Sequence, residues 1–412
     1  MWKQPWGFKE GYSICIGLFI TGTMLQISIG KINLDALAYP VNLISGIGYF
    51  LLLTILYFKY KKSSYIVNWL SSYQAAISSM SSMVFMIVLM GLIRQAPGYI
   101  TMEGNFIGFS QMLSAWSFAL LFLWMITILS MTIIRRLNHF KRRDTSFMLN
   151  HIGLLLALVG SILGSADIQK LEMTTMAGRP EWRALNERKE VVELPLAIEL
   201  HKFSIKEYPP KLMLIDNKTG ASLPQGKSTT FLVEPGLGTG QLLDWTISVK
   251  KYLQYAASVP SGDTLRYVEF HSFGATNALY VKAINHKTGI FLEGWVSCGN
   301  FMFPYNAIKL DDKVSLVMPE LEPQRFYSDV TVYLESKKVK DATIEVNKPF
   351  EIDGWKIYQL SYDESKGRWS EVSVFQLVKD PWLPVVYTGI LMMVIGAICM
   401  FTMAKKNKED KV

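Results

Sequence analysis

Long apolar runs alternate with short polar segments over the first 165 residues of this 412-residue chain. A transmembrane helix needs about 20 consecutive apolar residues, and six stretches reach that length. They are predicted at 12–30, 40–58, 76–94, 114–134, 146–165 and 382–404. The first run is too long for the core of a signal peptide, and no small-residue cleavage site precedes polar sequence, so we expect it to remain as an anchor.

Residues 166–381 are polar and carry the alternation that is typical of half-buried strands. In the clearest run, Val330, Val332 and Leu334 would share one face. The other runs are Leu196–Ser204, Trp245–Val249 and Ala278–Ala283, and turn signals stand at Asp216–Gly220, Asn285–Gly289 and Asp353–Gly354. We predict an antiparallel, mostly β domain, a sandwich or an open barrel. One stretch, Pro180–Glu190, has a helical composition instead.

The predicted fold is therefore a polytopic α-helical membrane protein with a large mostly β domain between helices 5 and 6. Its parts are a five-helix membrane region (1–165), the β-rich domain (166–381), the last transmembrane helix (382–404) and a basic tail (405–412). Short loops rich in lysine and arginine remain in the cytoplasm. This rule places both termini in the cytoplasm and the β-rich domain outside it. The residues that decide this orientation are Lys3, Lys9, Lys59, Lys61, Lys62, Arg135, Arg136, Lys141, Arg142, Arg143, Lys405, Lys406, Lys408 and Lys411.

The formal net charge of +8 needs no nucleic acid as a partner, because much of it lies in these loops. Three cysteines are too few for a disulfide-rich fold, and two of them lie in apolar runs. No CxxC motif occurs, which excludes a thiol relay and covalent attachment of haem to this chain. Cys298, in the outer domain, is either a reactive thiol or a packed small side chain.

His151 lies inside the fifth apolar run, where an ionisable side chain is costly and usually functional. The simpler explanation is an interhelical hydrogen bond that fastens the bundle. We interpret the other four histidines as ordinary surface or interface residues, because metal-binding spacings such as HxH and HExxH are absent. They are His139, His201, His271 and His286.

The two faces of the helix around His151 differ. At about 100° per residue, Gly153, Ala157, Gly160 and Gly164 gather on one face, which suits close helix packing. His151 projects from nearly the opposite side. Leu155, Leu158 and Ile162 lie beside it and form an apolar strip that would fit a flat porphyrin, with the imidazole on its iron, or equally another helix.

The C-terminal half carries a series of sequence blocks. They are Glu322–Asp329 (EPQRFYSD), Val346–Pro349 (VNKP), Gly354–Gln359 (GWKIYQ), Ser361–Asp363 (SYD), Asp380-Pro381 and Gly389. This order resembles the ResB family, also called CcsB, of system II cytochrome c biogenesis. The resemblance covers the chain from about residue 195 and the two flanking helices.

The resemblance implies a subunit of the complex that carries haem across the bacterial cytoplasmic (inner) membrane and joins it to apocytochrome c outside. In that family a histidine in the helix before the outer domain is an axial ligand of haem, and His151 is the matching position. Haem b would be transient and shared with a partner subunit. The chain would be a non-catalytic or co-catalytic part of a haem lyase, and no catalytic residue is assigned.

Haem iron commonly takes two axial ligands, and no second histidine occurs in the predicted spans. We therefore expect a partner to supply it, and the resemblance names that partner as a CcsA or ResC protein with a tryptophan-rich WWD segment. An alternative is a methionine of the third span, where Met80, Met83, Met86 and Met90 share a face, although such stripes are usually packing.

Four residues of the predicted β-rich domain have two possible roles. Arg325, Tyr327, Tyr358 and Tyr362 would contact haem propionates or peptide, or would belong to the domain's own aromatic core, which we favour. The domain would hold the apocytochrome CxxCH segment, for example as a strand added to a sheet edge.

A transporter and a structural membrane subunit are the two alternative functions. A transporter would need paired polar residues at mid-membrane, and His151 is the one ionisable residue that we find there. A structural membrane subunit, with a docking domain outside and His151 as a helix fastener, is compatible with the composition and is disfavoured by the family blocks alone.

Overall fold

The computed structural model describes residues 2–96, 107–224, 226, 229–234, 238–262 and 264–409. The chain forms two compact units. One unit comprises Met1–Gln169 with Val378–Val412, and the other comprises Lys170–Leu377.

The first unit is helical. Within the described residues, six helices are long and apolar enough to cross a membrane, as the sequence predicts. Their packing is what positions the candidate site, because α5 contacts α1, α2, α4 and α6, and α6 packs along α7. The helices are α1 (Phe8–Ile29), α2 (Val41–Tyr60), α3 (Tyr65–Trp69), α4 (Tyr73–Leu92), α5 (Trp116–Leu137), α6 (Thr145–Gly164) and α7 (Leu383–Glu409).

The short α3 is the helix that the apolar pattern does not predict, since five residues are too few to span a bilayer. The helix α7 continues through residues 405–409 of the predicted basic tail. Residues 410–412 of that tail lie outside the described part of the chain.

The second unit is mostly β, and its described strands form three sheets. The largest has the order β15-β14-β3-β2-β1-β18-β17-β16. The second has the order β11-β10-β8-β7, with β9 on β8, and the third has the order β12-β13-β4-β5, with β6 on β4. The strands are β1 (Gln169–Met176), β2 (Pro180–Leu185), β3 (Val191–Glu207), β4 (Lys211–Asp216), β5 (Ser222–Leu223), β6 (Thr230–Leu232), β7 (Thr239–Leu242), β8 (Trp245–Ser261), β9 (Thr264–Glu269), β10 (Thr276–Asn285), β11 (Phe291–Ser297), β12 (Ile308–Lys309), β13 (Val314–Val317), β14 (Pro323–Leu334), β15 (Val339–Glu345), β16 (Phe350–Ile352), β17 (Trp355–Tyr362) and β18 (Val372–Lys379).

The predicted strand faces are confirmed. Val330 and Val332 on β14 are buried in one apolar cluster, and Leu334 packs against it. The runs Leu196–Ser204, Trp245–Val249 and Ala278–Ala283 lie within β3, β8 and β10. Alternation of this kind holds because successive side chains of a strand point to opposite faces.

The predicted turns are also confirmed. At the first, the Asp216 carboxylate accepts hydrogen bonds from the backbone N–H groups of Lys218 and Thr219. At the second, Asn285 Oδ1 accepts from Lys287 and Thr288 in the same way. Short side chains that bond the backbone two or three residues ahead stabilise a turn.

The helical interpretation of Pro180–Glu190 is wrong. Pro180–Leu185 forms strand β2, which pairs antiparallel with β3, and Arg183 lies opposite Glu193. The connecting turn is held by Asn186 Oδ1, which accepts from the backbone N–H groups of Arg188 and Glu190. Cross-strand pairing outweighs a weak local helical preference here.

Candidate functional site

An apolar groove of about 480 Å³ runs along the helical unit. Helix α5 forms its floor, and α4 and α6, which flank α5, form its walls. Floor positions three or four residues apart lie on one helical face. The lining residues are Ala76, Ser79, Met80, Met83, Val84, Ile87 and Met90 on α4; Phe118, Phe122, Met125, Ile128, Leu129 and Thr132 on α5; His151, Leu154, Leu158, Ser161 and Ile162 on α6; and Leu113.

His151 is half-buried and lines this groove. Its Nδ1 lies 2.9 Å from the backbone oxygen of Phe147, one turn earlier in α6. A carbonyl oxygen can accept but not donate a hydrogen bond, so Nδ1 carries a proton, and in the neutral imidazole the lone pair is then on Nε2. A hydrogen bond of this kind on one ring nitrogen is what orients a histidine that binds metal through the other.

The imidazole is also held by an aromatic neighbour. The Phe147 ring stacks on His151 with centroids 3.7 Å apart, and the Arg136 guanidinium lies 5.2 Å from the Phe147 centroid. Arg136 in turn bonds the Asp144 carboxylate at 2.5 Å. These contacts hold the His151 ring in one orientation, and they involve residues at the start of α6.

The other polar side chains that line the groove form hydrogen bonds within their own helices. The hydroxyls of Ser79, Thr132 and Ser161 donate to the backbone oxygens of Ala76, Ile128 and Ala157, at 3.0, 2.9 and 2.7 Å. Among the described lining residues, the atoms left with a strong affinity for a soft or borderline metal are His151 Nε2 and the methionine sulfurs.

Within the described residues, no group of three His, Cys, Asp or Glu side chains is arranged to hold a metal ion. The groove thus lacks the ligands for a bare ion. It fits a haem better, because a porphyrin supplies its own equatorial nitrogens and needs from the protein an axial ligand and an apolar surface. His151 would be that ligand.

The apolar strip predicted beside His151 is confirmed in part. Leu158 and Ile162 line the groove, together with Leu154. Leu155 is not among the described residues that line it. A helical wheel predicts the direction of a side chain, but it does not show which neighbouring helices enclose that side chain.

The opposite face of α6 is closed by α7, as its small residues predict. A Cβ added at Gly153 would lie 2.5 Å from the Gly389 carbonyl oxygen, and one at Gly164 would lie 2.5 Å from Trp382 Cβ. At Gly160 the nearest atom would be Val386 Cγ2, at 3.2 Å. This close approach is the packing that small residues permit between membrane helices.

Asp167 was not singled out from the sequence, although it joins three helices of this unit. Its carboxylate accepts from Tyr39 N–H at 2.7 Å, from Asn42 Nδ2 at 2.7 Å and from Trp382 Nε1 at 2.5 Å. The residue follows an apolar run directly, a position at which a carboxylate is expected to find partners. The position of Asp167 directly after the apolar run is therefore the sequence signal from which its role could be predicted.

The candidates Arg325, Tyr327, Tyr358 and Tyr362 lie in the β unit. Tyr362 stacks on Phe203 with centroids 4.7 Å apart and contacts Phe326, so it belongs to the domain's own aromatic packing, and burial raises its pKa. Tyr327 and Tyr358 are half-buried, and Arg325 is exposed. For Tyr362 the structure therefore favours the aromatic-core interpretation.

Cys298 packs in the β unit. It is partly buried against an apolar cluster, and burial raises the pKa of its thiol. A thiol needs to lose its proton to act as a nucleophile. The structure therefore favours the packed over the reactive interpretation.

The remaining histidines have local partners. His201 bonds Thr331 Oγ1 at 2.6 Å, and His286 bonds Thr246 Oγ1. His271 lies 3.9 Å from Glu269, and His139 bonds Asn138. None of these contacts brings two histidines together.

The sequence blocks have structural roles. Ser328 donates to Gln359 Oε1 at 2.7 Å inside the β unit, which joins the first block to GWKIYQ, and Ser373 lies 2.8 Å from the same hydroxyl. Asn347 and Asp353 adopt positive φ angles of 64° and 50° in turns. A buried polar network of this kind has to be fully bonded to be stable. The blocks thus specify the sheet and its turns.

Comparison with known proteins supports the resemblance. A search of curated proteins finds no match to this chain. Residues 296–372 match the family model of the ResB-like family, and the blocks from Glu322 to Asp363 lie inside that segment. The match confirms that this membrane protein carries a ResB-like segment, and it implies a role in cytochrome c biogenesis.

Proposed function

We propose that this chain is a subunit of a system II cytochrome c maturation complex, in which it binds haem during export and presents it for covalent attachment to apocytochrome c. One observation carries the proposal. His151 lines a 480 Å³ apolar groove, and its Nδ1 donates to Phe147 O, so that in the neutral imidazole Nε2 has the lone pair that a metal would bind.

The residues of this chain would hold and orient the cofactor. His151 would supply an axial nitrogen, and the phenylalanines and leucines of the groove would exclude water from the porphyrin. The cofactor, when bound, supplies the iron and the vinyl groups that become attached. Exclusion of water favours the reduced iron, because the less charged state is better stabilised in an apolar site.

The surrounding complex is part of the proposal. We place the chain in the bacterial cytoplasmic membrane, with both termini in the cytoplasm and residues 166–381 outside, because the short loops that carry lysine and arginine fall on one side. A CcsA or ResC partner would receive the haem at its WWD segment. The β unit would hold the apocytochrome, and haem b would be shared between the two membrane proteins.

The test is the haem content of the chain purified together with such a partner. We expect the reduced visible spectrum to show haem, His151→Gly to remove most of it, and added imidazole to restore it. His286→Gly is the matched control, because His286 is a histidine of the β unit with a partner of its own and should leave the spectrum unchanged. Haem content that is indifferent to His151 would favour the second candidate, a docking subunit in which His151 only fastens helices.

A further inference from the structure

The β unit exposes a small apolar surface formed by two loops, one between β9 and β10 and the other between β11 and β12. Phe273 on the first loop is 40% exposed, and Phe301 and Met302 on the second are 45% and 50% exposed. The ring centroids of Phe273 and Phe301 are 5.6 Å apart, and Met302 Sδ occupies the place that a Cβ at Gly274 would take. Phe273, Phe301 and Met302 together form what we call the aromatic platform.

The backbone beneath the platform is held by hydrogen bonds. The Ala275 carbonyl oxygen on the first loop accepts from Asn300 Nδ2 on the second at 3.2 Å, which ties the two loops together. The same oxygen accepts from Arg368 Nη2 and Trp369 Nε1, both at 3.0 Å. Arg368 is in turn paired with Glu207 at 3.3 Å, and both side chains are largely buried. A surface fixed in this way needs little ordering when a partner binds.

The chemistry of the two loops selects the kind of partner. Residues 270–280 and 295–308 contain no Asp, Glu, Lys or Arg. At the rim, Lys366 Nζ lies 5.8 Å from the Phe273 centroid and is paired with Glu371 at 3.5 Å. An uncharged segment would lose no ionic hydration on docking here. Phenyl rings and a thioether also make favourable contacts with sulfur and with other planar rings.

The position of the platform favours a soluble segment over lipid. Phe273 contacts Trp369, with ring centroids 5.9 Å apart, and Trp369 lies just before the start of β18. The apolar helix α7 begins just after the end of β18. The eight residues of this strand span about 26 Å, so the platform is at the end of β18 that is remote from the residues leading into α7. A surface for lipid is expected close to those residues instead.

We propose that the aromatic platform binds the CxxCH segment of the apocytochrome, whose thiols and imidazole would lie against Phe273, Phe301 and Met302. This inference rests on the proposed function and gives the docking role of the β unit a location. Two cysteine thiols and a histidine are mostly uncharged at neutral pH, and they offer the sulfur and planar ring that such a surface recognises. The contact is non-covalent, so the thiols remain free to react with haem.

The experiment uses the full chain in lipid nanodiscs and a fluorescent, reduced peptide that contains CAACH between uncharged flanks. We expect the peptide to bind in fluorescence anisotropy and Phe301→Ala to weaken binding about tenfold, a loss typical of a central aromatic contact. Met302→Ala should act in the same direction. Phe291→Ala is the matched control, because Phe291 is a phenylalanine of β11 that is 52% exposed and lies outside the platform, and it should leave the affinity unchanged.

Two further measurements test the chemistry of the partner. A peptide with serines in place of both cysteines should bind several-fold more weakly than the CAACH peptide, because it lacks the sulfur atoms. In nanodiscs, Phe301→Cys should react with a water-soluble maleimide above the background of the unmodified protein, and the CAACH peptide should slow that reaction.

Several results would overturn the proposal. They are no binding of the peptide to the unmodified chain, equal affinities of the Phe301→Ala and Phe291→Ala variants, and equal affinities of the two peptides. An unreactive Phe301→Cys would place the platform against lipid and would overturn it as well. Melting temperatures show whether a lost signal reflects unfolding. The haem spectrum of His151→Gly is recorded without peptide, so haem content that is indifferent to His151 refutes the proposed function whatever the platform binds.

Discussion

The two faces of α6 differ in how they meet their surroundings. Towards α7 the helix presents Gly153, Gly160 and Gly164, and the two backbones approach so closely that a single added Cβ would clash. Towards α4 and α5 it presents His151 and leucines that line an open groove. The same 20-residue helix thus has one face that is filled by its own chain and one that is not.

The difference separates packing from function. Side chains of membrane helices gain little from hydrophobic burial against each other, so stability comes from close packing and from satisfied polar groups. The closed face meets that requirement. The open face leaves an imidazole nitrogen and an apolar surface without a described partner, which is the arrangement expected where a ligand binds.

The closed face should give the largest change in stability. We expect Gly153→Ala to lower the free energy of unfolding by about 3 kcal/mol, because the new methyl would meet the Gly389 backbone oxygen, which cannot rotate away. Thermal unfolding in detergent, followed by tryptophan fluorescence, measures it. Gly48→Ala on α2 is the control, since its Cβ meets nothing within 4 Å, and it should be neutral or slightly stabilising. Equal melting temperatures for the two variants would show that the α6 and α7 backbones are not in contact.

Much of this helix could be predicted from the sequence. The small-residue face and its contact with another helix follow from spacing alone, because residues three and four apart share a face. The groove could not be predicted in the same way. Its walls come from helices that are distant in sequence, and no local pattern states that Met80 and His151 line one cavity.

The same limit explains Asp167 and Pro180–Leu185. Asp167 bonds Tyr39, 128 residues earlier, and Trp382, 215 residues later. The strand Pro180–Leu185 depends on its pairing with β3. The partners of Asp167 are remote in the sequence, and Pro180–Leu185 pairs with the next strand, which the composition of the segment itself does not reveal. The alternation of Val330 and Val332, by contrast, is a property of the segment itself and is predicted correctly.

Substitution of Asp167, just after the end of α6, should give the next largest change in stability. We expect Asp167→Ala to cost about 2 kcal/mol, because three donors lose a charged acceptor. The donors are the Tyr39 N–H, Asn42 Nδ2 and Trp382 Nε1. Asp167→Asn keeps one acceptor oxygen and should lose roughly half as much. Unfolding temperatures of the two variants and of the unmodified protein give the comparison. An Ala variant as stable as the unmodified protein would mean that these bonds do not hold the helices together.

A substitution on the open face of α6 should give the smallest change in stability. Leu158 is half-buried and lines the groove, so part of its side chain already faces empty space, and we expect Leu158→Ala to cost less than about 1 kcal/mol. Leu121→Ala on α5 is the matched control. That side chain is 3% exposed, and its removal should cost about 2 to 5 kcal/mol. Equal costs at the two positions would mean that the groove is closed in the folded protein, and His151 would then lie in a packed interface, where a fastening role explains it better than a ligand does.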